Sequence, residues 1–230
     1  ASEYLTTPLA DVTAADTEAI RAQYQKDWNE WPAAWGAPYY DKNGNGTYEP
    51  SVDEPGVANA DQVAWFVIND LDQGASMKLY GAKPIGIECQ VLLWAYARTD
   101  ALGQAIFKKY SVIYKGTEDS PADARIDSMY FAQWSDPDLG DSGDDFVGCD
   151  VDLSLGYVYN STDTDANYQA YGLAPPAAGY DFLQGPIVPD EASEAIFNFQ
   201  KIEGYRNLPM TAFVYFAASK SALEVSRSTA

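Results

Sequence analysis

The sequence predicts a mainly β protein, and specifically a β-sandwich of the jelly-roll or immunoglobulin-like kind. Several runs rich in β-branched and aromatic residues are separated by turn-forming segments, whereas only one stretch has a clear helical period. Hydrophobic residues make up 47% and aromatic residues 14% of the 230-residue chain. This apolar content is sufficient for a substantial folded core.

One N-terminal helix is predicted at residues 13–30. Thr13, followed three residues later by Asp16, forms the pattern of a capping box. Large apolar residues then recur on one helical face, at Ile20, Tyr24, Trp28 and Trp31. A helix with such a face is expected to pack against a sheet.

The strands follow in the order expected of a sandwich. Residues 85–97 and 106–114 are predicted to form a hairpin across a turn at Gly103. The full set of predicted strands is 62–69, 85–97, 106–114, 129–134, 153–159, 195–200 and 211–216. Residues 161–193 have weak periodicity and are predicted to form long loops over the sheet.

The chain is expected to form one compact unit. Residues 1–58 hold the helix and an acidic loop that packs on the sandwich, residues 59–218 form the sandwich, and residues 219–230 are a polar tail. No N-terminal signal peptide is visible, so the chain is expected to be a mature piece of a longer protein.

Charge and composition exclude several classes of function. A net charge of −20 argues against binding to nucleic acid or to an anionic membrane surface, because both need clustered Lys and Arg. The chain has no histidine, which removes the histidine-based catalytic triads and the usual zinc sites. No stretch is apolar enough for insertion into a membrane.

The first acidic loop spans residues 41–54 and concentrates oxygen ligands among glycines. Asp41, Asn43 and Asn45 occupy positions 1, 3 and 5 of a pattern like that of an EF-hand, and Gly46 supplies its turn. Position 12 is valine instead of glutamate, so Asp53 or Glu54 must close the cage. The candidate calcium ligands are Asp41, Asn43, Asn45, Thr47 through its carbonyl, Glu49 and Asp53. The alternative is an Asn-Gly turn with solvated acids.

The second acidic loop begins at residue 136. Its closely spaced carboxylates repel one another, and a bound cation would remove that cost. The candidate calcium ligands are Asp136, Asp138, Asp141, Asp144, Asp145 and Asp150. The alternative is an exposed acidic loop with Asx-turns.

The two cysteines, Cys89 and Cys149, are too far apart in sequence for a redox CxxC motif. In an oxidising compartment they are predicted to form one disulfide. The alternative is two buried free thiols.

Residues 24–216 resemble a family of large secreted, β-rich proteins of Bacteroidota-like bacteria, many of which carry a type 9 secretion sorting domain. The matching runs are Asp-Trp-Asn-Glu-Trp-Pro at 27–32, Gly-Ala-Pro-Tyr at 36–39, Asp-x-Asn-Gly-Asn-Gly-x-Tyr at 41–48, Ala-Asp-Gln-Val-Ala-Trp-Phe-Val-Ile-Asn-Asp at 60–70 and Trp-Ser-Asp-Pro-Asp-Leu-Gly-Asp-Ser-Gly-Asp-Asp-Phe-Val-Gly-Cys-Asp at 134–150. The resemblance implies a secreted, cell-surface location and β-rich modules, but no reaction or substrate.

The function expected from these features is that of an extracellular, calcium-stabilised structural or adhesive protein, such as the subunit of a surface layer or filament. Its partners would be copies of itself or other cell-surface proteins. The alternative is a carbohydrate-binding module that binds glycans through Trp35, Tyr39 and Tyr40. A carboxylate-based glycosidase with Glu88 as one acid is less favoured, since no second acid can be named, and the chain is expected not to be an enzyme.

Overall fold

The computed structural model describes residues 5–216 and 223–226. The prediction of a mainly β protein is confirmed, because these described residues form twelve strands in five sheets, and every strand pairing among them is antiparallel. The chain divides into two compact units, Ala1–Tyr130 and Phe131–Ala230. The boundary expected between residues 58 and 59 lies inside the first unit.

The predicted N-terminal helix is present as α1, Ala14–Asn29. Thr13 and Asp16 form the capping box, since each side chain accepts a hydrogen bond from the other residue's backbone N–H. Ile20 is buried as expected. Tyr24 and Trp28 on the same face remain substantially exposed, so the apolar face is only partly covered.

A three-stranded sheet forms the centre of the first unit. It contains β3, Gln62–Asn69, β4, Ile87–Ala95, and β5, Ile106–Tyr114, in the order β3-β4-β5. The central strand holds the buried residues Val91 and Leu92. Before the sheet, the two-residue strands β1, Tyr39–Tyr40, and β2, Glu54–Pro55, pair with each other.

Helix α2, Gln73–Tyr80, connects β3 to β4 and was not predicted. Asp72 caps its N-terminus by accepting a hydrogen bond from the Ala75 N–H. Short 3-10 helices lie at Leu9–Asp11, Ala33–Trp35 and Ala101–Gln104 in this unit and at Ser142–Asp144 in the second.

The described part of the second unit forms three sheets. Strands β6, Asp145–Asp150, β7, Leu155–Asn160, and β8, Ala177–Asp181, form a three-stranded sheet in that order. Strand β9, Ile187–Phe197, pairs with β10, Gln200–Asn207, and β11, Ala212–Tyr215, pairs with β12, Leu223–Ser226. A short helix, α3, Ala166–Gln169, lies between β7 and β8.

The predicted strands are partly reproduced. Residues 62–69 and 106–114 match β3 and β5, but residues 129–134 form no strand. The predicted loops at 161–193 contain α3, β8 and the beginning of β9. Of the predicted polar tail, 219–230, only 223–226 is described, as β12; the rest lies outside the described residues.

The predicted disulfide is absent from the structure. Cys89 and Cys149 are both free thiols. Cys89 lies on β4 of the first unit, where it is opposite Ile68 and Val112, and Cys149 lies on β6 of the second unit, opposite Gly156. The sequence prediction failed because each cysteine is placed by the pairing of its own sheet. Burial raises the pKa of both thiols, so they are less readily ionised than an exposed cysteine.

Candidate functional site

The first acidic loop is closed at its base by a small pair of strands. Tyr40 of β1 lies opposite Glu54 of β2, so the chain that leaves at residue 41 returns at residue 53. The loop between them is a compact ring held by local hydrogen bonds. Its candidate ligands are therefore confined to one place, as a metal-binding loop requires.

Asp41 organises the first half of this loop. Its Oδ1 accepts hydrogen bonds from the backbone N–H groups of Gly44 at 2.7 Å and Asn45 at 3.3 Å, and its Oδ2 accepts one from Gly46 at 2.7 Å. These hydrogen bonds, led by the one from Gly46, hold the pKa of Asp41 below its usual value. The carboxylate is therefore stabilised in the charged form that a cation binds.

Three side chains converge in the middle of the loop. The Nδ2 atoms of Asn43 and Asn45 both donate to the same oxygen, Oε2 of Glu49, at 2.7 and 2.6 Å. The amide oxygens of the two asparagines accept from backbone N–H groups two residues further on. The predicted ligands Asn43, Asn45 and Glu49 are thus brought together, next to the turn that Asp41 holds.

Asp53 closes the loop. Its side chain is among the least exposed in the described chain, at 1%. Oδ1 accepts a hydrogen bond from the Lys42 N–H at 3.0 Å and Oδ2 accepts one from the Glu49 N–H at 2.8 Å. The other candidate, Glu54, instead forms an ion pair with Lys42 at 2.6 Å, which lowers the pKa of Glu54. Of the two acids, Asp53 therefore accepts hydrogen bonds from within the loop, whereas Glu54 is paired with a lysine.

Helix α1 anchors the loop from outside. Trp28 Nε1 donates to the Pro50 carbonyl at 2.9 Å, and the Tyr48 hydroxyl donates to the Trp28 carbonyl at 2.6 Å. Burial raises the pKa of Tyr39 and Tyr48, and the negative charge of Asp53 raises both further. The helix therefore fixes the position of the loop, and the carboxylates give the loop a negative charge. Thr47 is exposed.

The second acidic loop does not form a single cluster. Asp145 begins β6 and Asp150 ends it, so the two carboxylates are separated by about 17 Å of strand. Asp150 instead caps the following turn by accepting from the Asp152 and Leu153 N–H groups. Asp136 and Asp138 precede the strand and are exposed. Only Asp141, Asp144 and Asp145 remain close to one another.

Two residues that sequence reasoning missed join this end of the sheet. Asn160, which lies opposite Asp145, donates through Nδ2 to Asp144 at 3.2 Å and to Asp165 at 3.4 Å. Asp165 is buried and accepts from the Asp141 N–H at 2.8 Å, while its other oxygen caps α3. These backbone hydrogen bonds lower the pKa of Asp165, the largest contribution coming from Asp141. The capping pattern before α3 is the one signal in the sequence that could have identified Asp165.

One oxygen in this second group is left without a partner. Asp145 Oδ2 accepts from the Leu139 N–H at 2.9 Å, but Oδ1 is buried and has no hydrogen-bond partner among the described residues. A buried carboxylate oxygen without a partner is costly. A cation at this position would satisfy it, which fits the donor chemistry expected for calcium.

The described residues hold no group of three or more Asp, Glu or Cys side chains arranged to bind one metal ion. The candidate ligands of the first loop are not only carboxylates, since they include two asparagine amides and a backbone carbonyl. In the part of the chain that the structure describes, no helix is long and apolar enough to cross a membrane.

The candidate sugar-binding and catalytic residues differ in how accessible they are. Trp35 is 83% exposed and Tyr40 is exposed, whereas Tyr39 packs edge-on against Tyr48 with ring centroids 5.4 Å apart. Glu88 forms an ion pair with Lys115 at 3.6 Å. These positions leave Trp35 as the most accessible aromatic residue of the predicted set.

Comparison with known proteins adds no relative. No protein-family model, no curated protein and no solved structure matches the chain.

Proposed function

We propose that the chain is an extracellular structural or adhesive protein whose loops are stabilised by calcium and which assembles with itself or with other surface proteins. The observation that carries the proposal is the first acidic loop. There, Asp41 and Asp53 hold the two ends of a ring in which Asn43, Asn45 and Glu49 converge. All of these donors are oxygen atoms or amides that can present oxygen, the set that calcium prefers.

Calcium binding to this loop would exchange one set of contacts for another. The two asparagine amides now donate to Glu49, and they would have to turn their oxygens toward the cation beside it. The hydrogen bonds to Asp41 and Asp53 involve backbone N–H groups and can remain. The ring is thus largely formed before the ion arrives, which reduces the ordering that binding must impose.

We also propose that the second unit is a β-sandwich. Phe213 of β11 lies against Gly156 of β7, where a Cβ atom would approach the ring to 2.5 Å. This contact joins strands of two different sheets, and Val158, two residues along β7 on the same side as Gly156, is buried; packing of this kind forms a sandwich core.

Thermal and urea unfolding in calcium and in EGTA tests the calcium proposal. With a dissociation constant of about 10⁻⁴ M, typical of extracellular sites, about 10 mM calcium stabilises the folded state by about 2.7 kcal/mol. The Asp41→Asn variant should lose this stabilisation, whereas Asp100→Asn, which removes a surface carboxylate paired with Arg98, should keep it. Equal stability of the wild type in calcium and EGTA refutes the proposal.

Native mass spectrometry of the same samples tests assembly separately. Oligomers that dissociate in EGTA would place calcium at subunit contacts. Monomers under both conditions, at concentrations where calcium still stabilises the fold, would leave a calcium-stabilised protein that does not assemble with itself.

A further inference from the structure

Strand β7 presents its tyrosines outward. Along Leu155–Asn160 the exposed side chains are Tyr157 and Tyr159, whereas Gly156, Val158 and Asn160 are buried. In an antiparallel sheet with one solvated face, polar residues are expected on that face. Here the solvated face carries aromatic rings.

The neighbouring strands extend this surface. Residues opposite one another in the register point to the same side, so the outer face contains Phe146, Gly148 and Asp150 of β6 and Ala177, Gly179 and Asp181 of β8 beside Leu155, Tyr157 and Tyr159. We call these nine residues the aromatic face. Phe146, Tyr157 and Tyr159 are 55%, 36% and 41% exposed.

The three rings form one connected row. The centroids of Phe146 and Tyr159 are 6.0 Å apart in an edge-on arrangement, and those of Tyr159 and Tyr157 are 5.9 Å apart. The Tyr157 ring lies over Gly148, where a Cβ atom would approach it to 2.4 Å. The opposite residues Gly148, Gly179 and Ala177 are small, and the three rings keep 36–55% of their surface exposed for contact.

The segment that carries this face has charges of one sign only. Residues 126–200 contain fourteen aspartate and glutamate residues and no lysine or arginine. Asp150 and Asp181 lie on the aromatic face itself, both opposite Leu155, and both are exposed. A partner that docks here meets electron-rich rings and carboxylates together, and both attract cations.

We propose that the aromatic face binds a lysine- or arginine-bearing segment of another protein. Guanidinium or ammonium groups would lie over the rings of Tyr157, Tyr159 and Phe146 while their charge is balanced by Asp150 and Asp181. This charge complementarity favours a basic polypeptide over a neutral glycan, which gains nothing from the acids, and over a second copy of a chain with a net charge of −20. The proposal goes beyond the calcium sites and does not depend on them.

Isothermal titration with an arginine-glycine repeat peptide, at one fixed calcium concentration, tests the proposal. We expect binding to the wild type that weakens about two- to fivefold for each ring replaced by alanine, and therefore about tenfold or more in the triple variant F146A/Y157A/Y159A. The matched control is Tyr171→Ala, which removes a tyrosine that is 81% exposed in the same acidic segment but off the face. This control should bind as the wild type does.

A second variant separates charge from rings. Asp150→Asn with Asp181→Asn keeps the rings and should weaken binding and reduce its dependence on salt. Because all five positions are exposed, circular dichroism should show that the variants remain folded. No binding to the wild type overturns the proposal, as does equal affinity for the wild type and the triple variant.

Two further results would assign the face to a different partner and also overturn the proposal. One is binding of neutral cello- or chito-oligosaccharides that the triple variant loses while the peptide does not bind. The other is a concentration-dependent dimer of the wild type that the triple variant cannot form.

Discussion

The buried carboxylate of Asp53 allows a sharp test of how the first acidic loop is held. Replacing it with alanine removes two hydrogen bonds, those from the Lys42 and Glu49 N–H groups, and leaves both donors in a space from which the side chain excluded water. A hydrogen bond to a charged group contributes about 1.5–3 kcal/mol. The two together predict that Asp53→Ala lowers the free energy of unfolding by about 3 kcal/mol or more in EGTA.

Urea denaturation followed by tryptophan fluorescence measures this loss. With an m-value of about 2 kcal/mol/M, the midpoint should fall by about 1.5 M. The control Asp100→Ala makes the same change in net charge but breaks only an exposed ion pair with Arg98, so it should cost less than about 1 kcal/mol. An Asp53 variant no less stable than this control would refute the reasoning from buried hydrogen bonds.

The same variant separates a structural role from a metal-binding role for Asp53. If the carboxylate also binds calcium, the difference in free energy of unfolding between wild type and Asp53→Ala should be larger in calcium than in EGTA. The increase should equal the stabilisation that calcium gives the wild type. An equal difference under both conditions would mean that Asp53 only closes the loop. The ligands would then be confined to the first half, around Asp41.

Further predictions concern acid, a glycine and the thiols. Folding lowers the pKa of Asp41 and Asp165 from the ordinary 3.8, so their contribution to stability is complete above that value and is lost as pH falls through the folded pKa. Urea midpoints should therefore stay level down to about pH 5 and then fall. An unchanged midpoint at about pH 3 would contradict this. Gly140→Ala should lower the free energy of unfolding by more than Gly44→Ala does. Both glycines have positive φ, but only at Gly140 would a Cβ atom lie 2.4 Å from the Asp165 carboxylate. Equal losses of stability in urea denaturation would contradict the clash. Alkylation of the unfolded chain without reductant should add two adducts, because both cysteines are free. Mass spectrometry that shows no adduct would support the disulfide instead.

The elements that could be predicted from the sequence are those whose signal is local. Helix α1 has a capping box and a repeated apolar face within its own residues, and β3 and β5 are rich in β-branched and aromatic residues. The turn in the first acidic loop is similar, because Asp and Asn among glycines favour a tight turn, and Asp41 accepts hydrogen bonds from the Gly44 and Gly46 N–H groups there. In these segments local propensity and tertiary structure agree.

The missed elements depend on distant partners. Strand β6 lies inside a run of aspartates and glycines with low strand propensity, and it forms because β7 pairs with all six of its residues. Strand β8, Ala177–Asp181, is similarly placed by β7 and not by its own composition. The division of the second acidic loop follows from the same pairing, because a strand extends the chain and carries Asp150 away from Asp145.

The orientation of β7 connects the second acidic group to the aromatic face. Its sequence alternates tyrosines with small or apolar residues, so composition alone does not decide which side faces solvent. Asn160 decides it, because its amide holds Asp144 and Asp165 at the buried end of the strand. Side chains in a strand alternate with a period of two, so burying Asn160 also buries Val158 and Gly156 and directs Tyr159 and Tyr157 outward. The polar network is therefore what places the aromatic rings on the surface, and a shift of β7 by one residue would exchange the two faces.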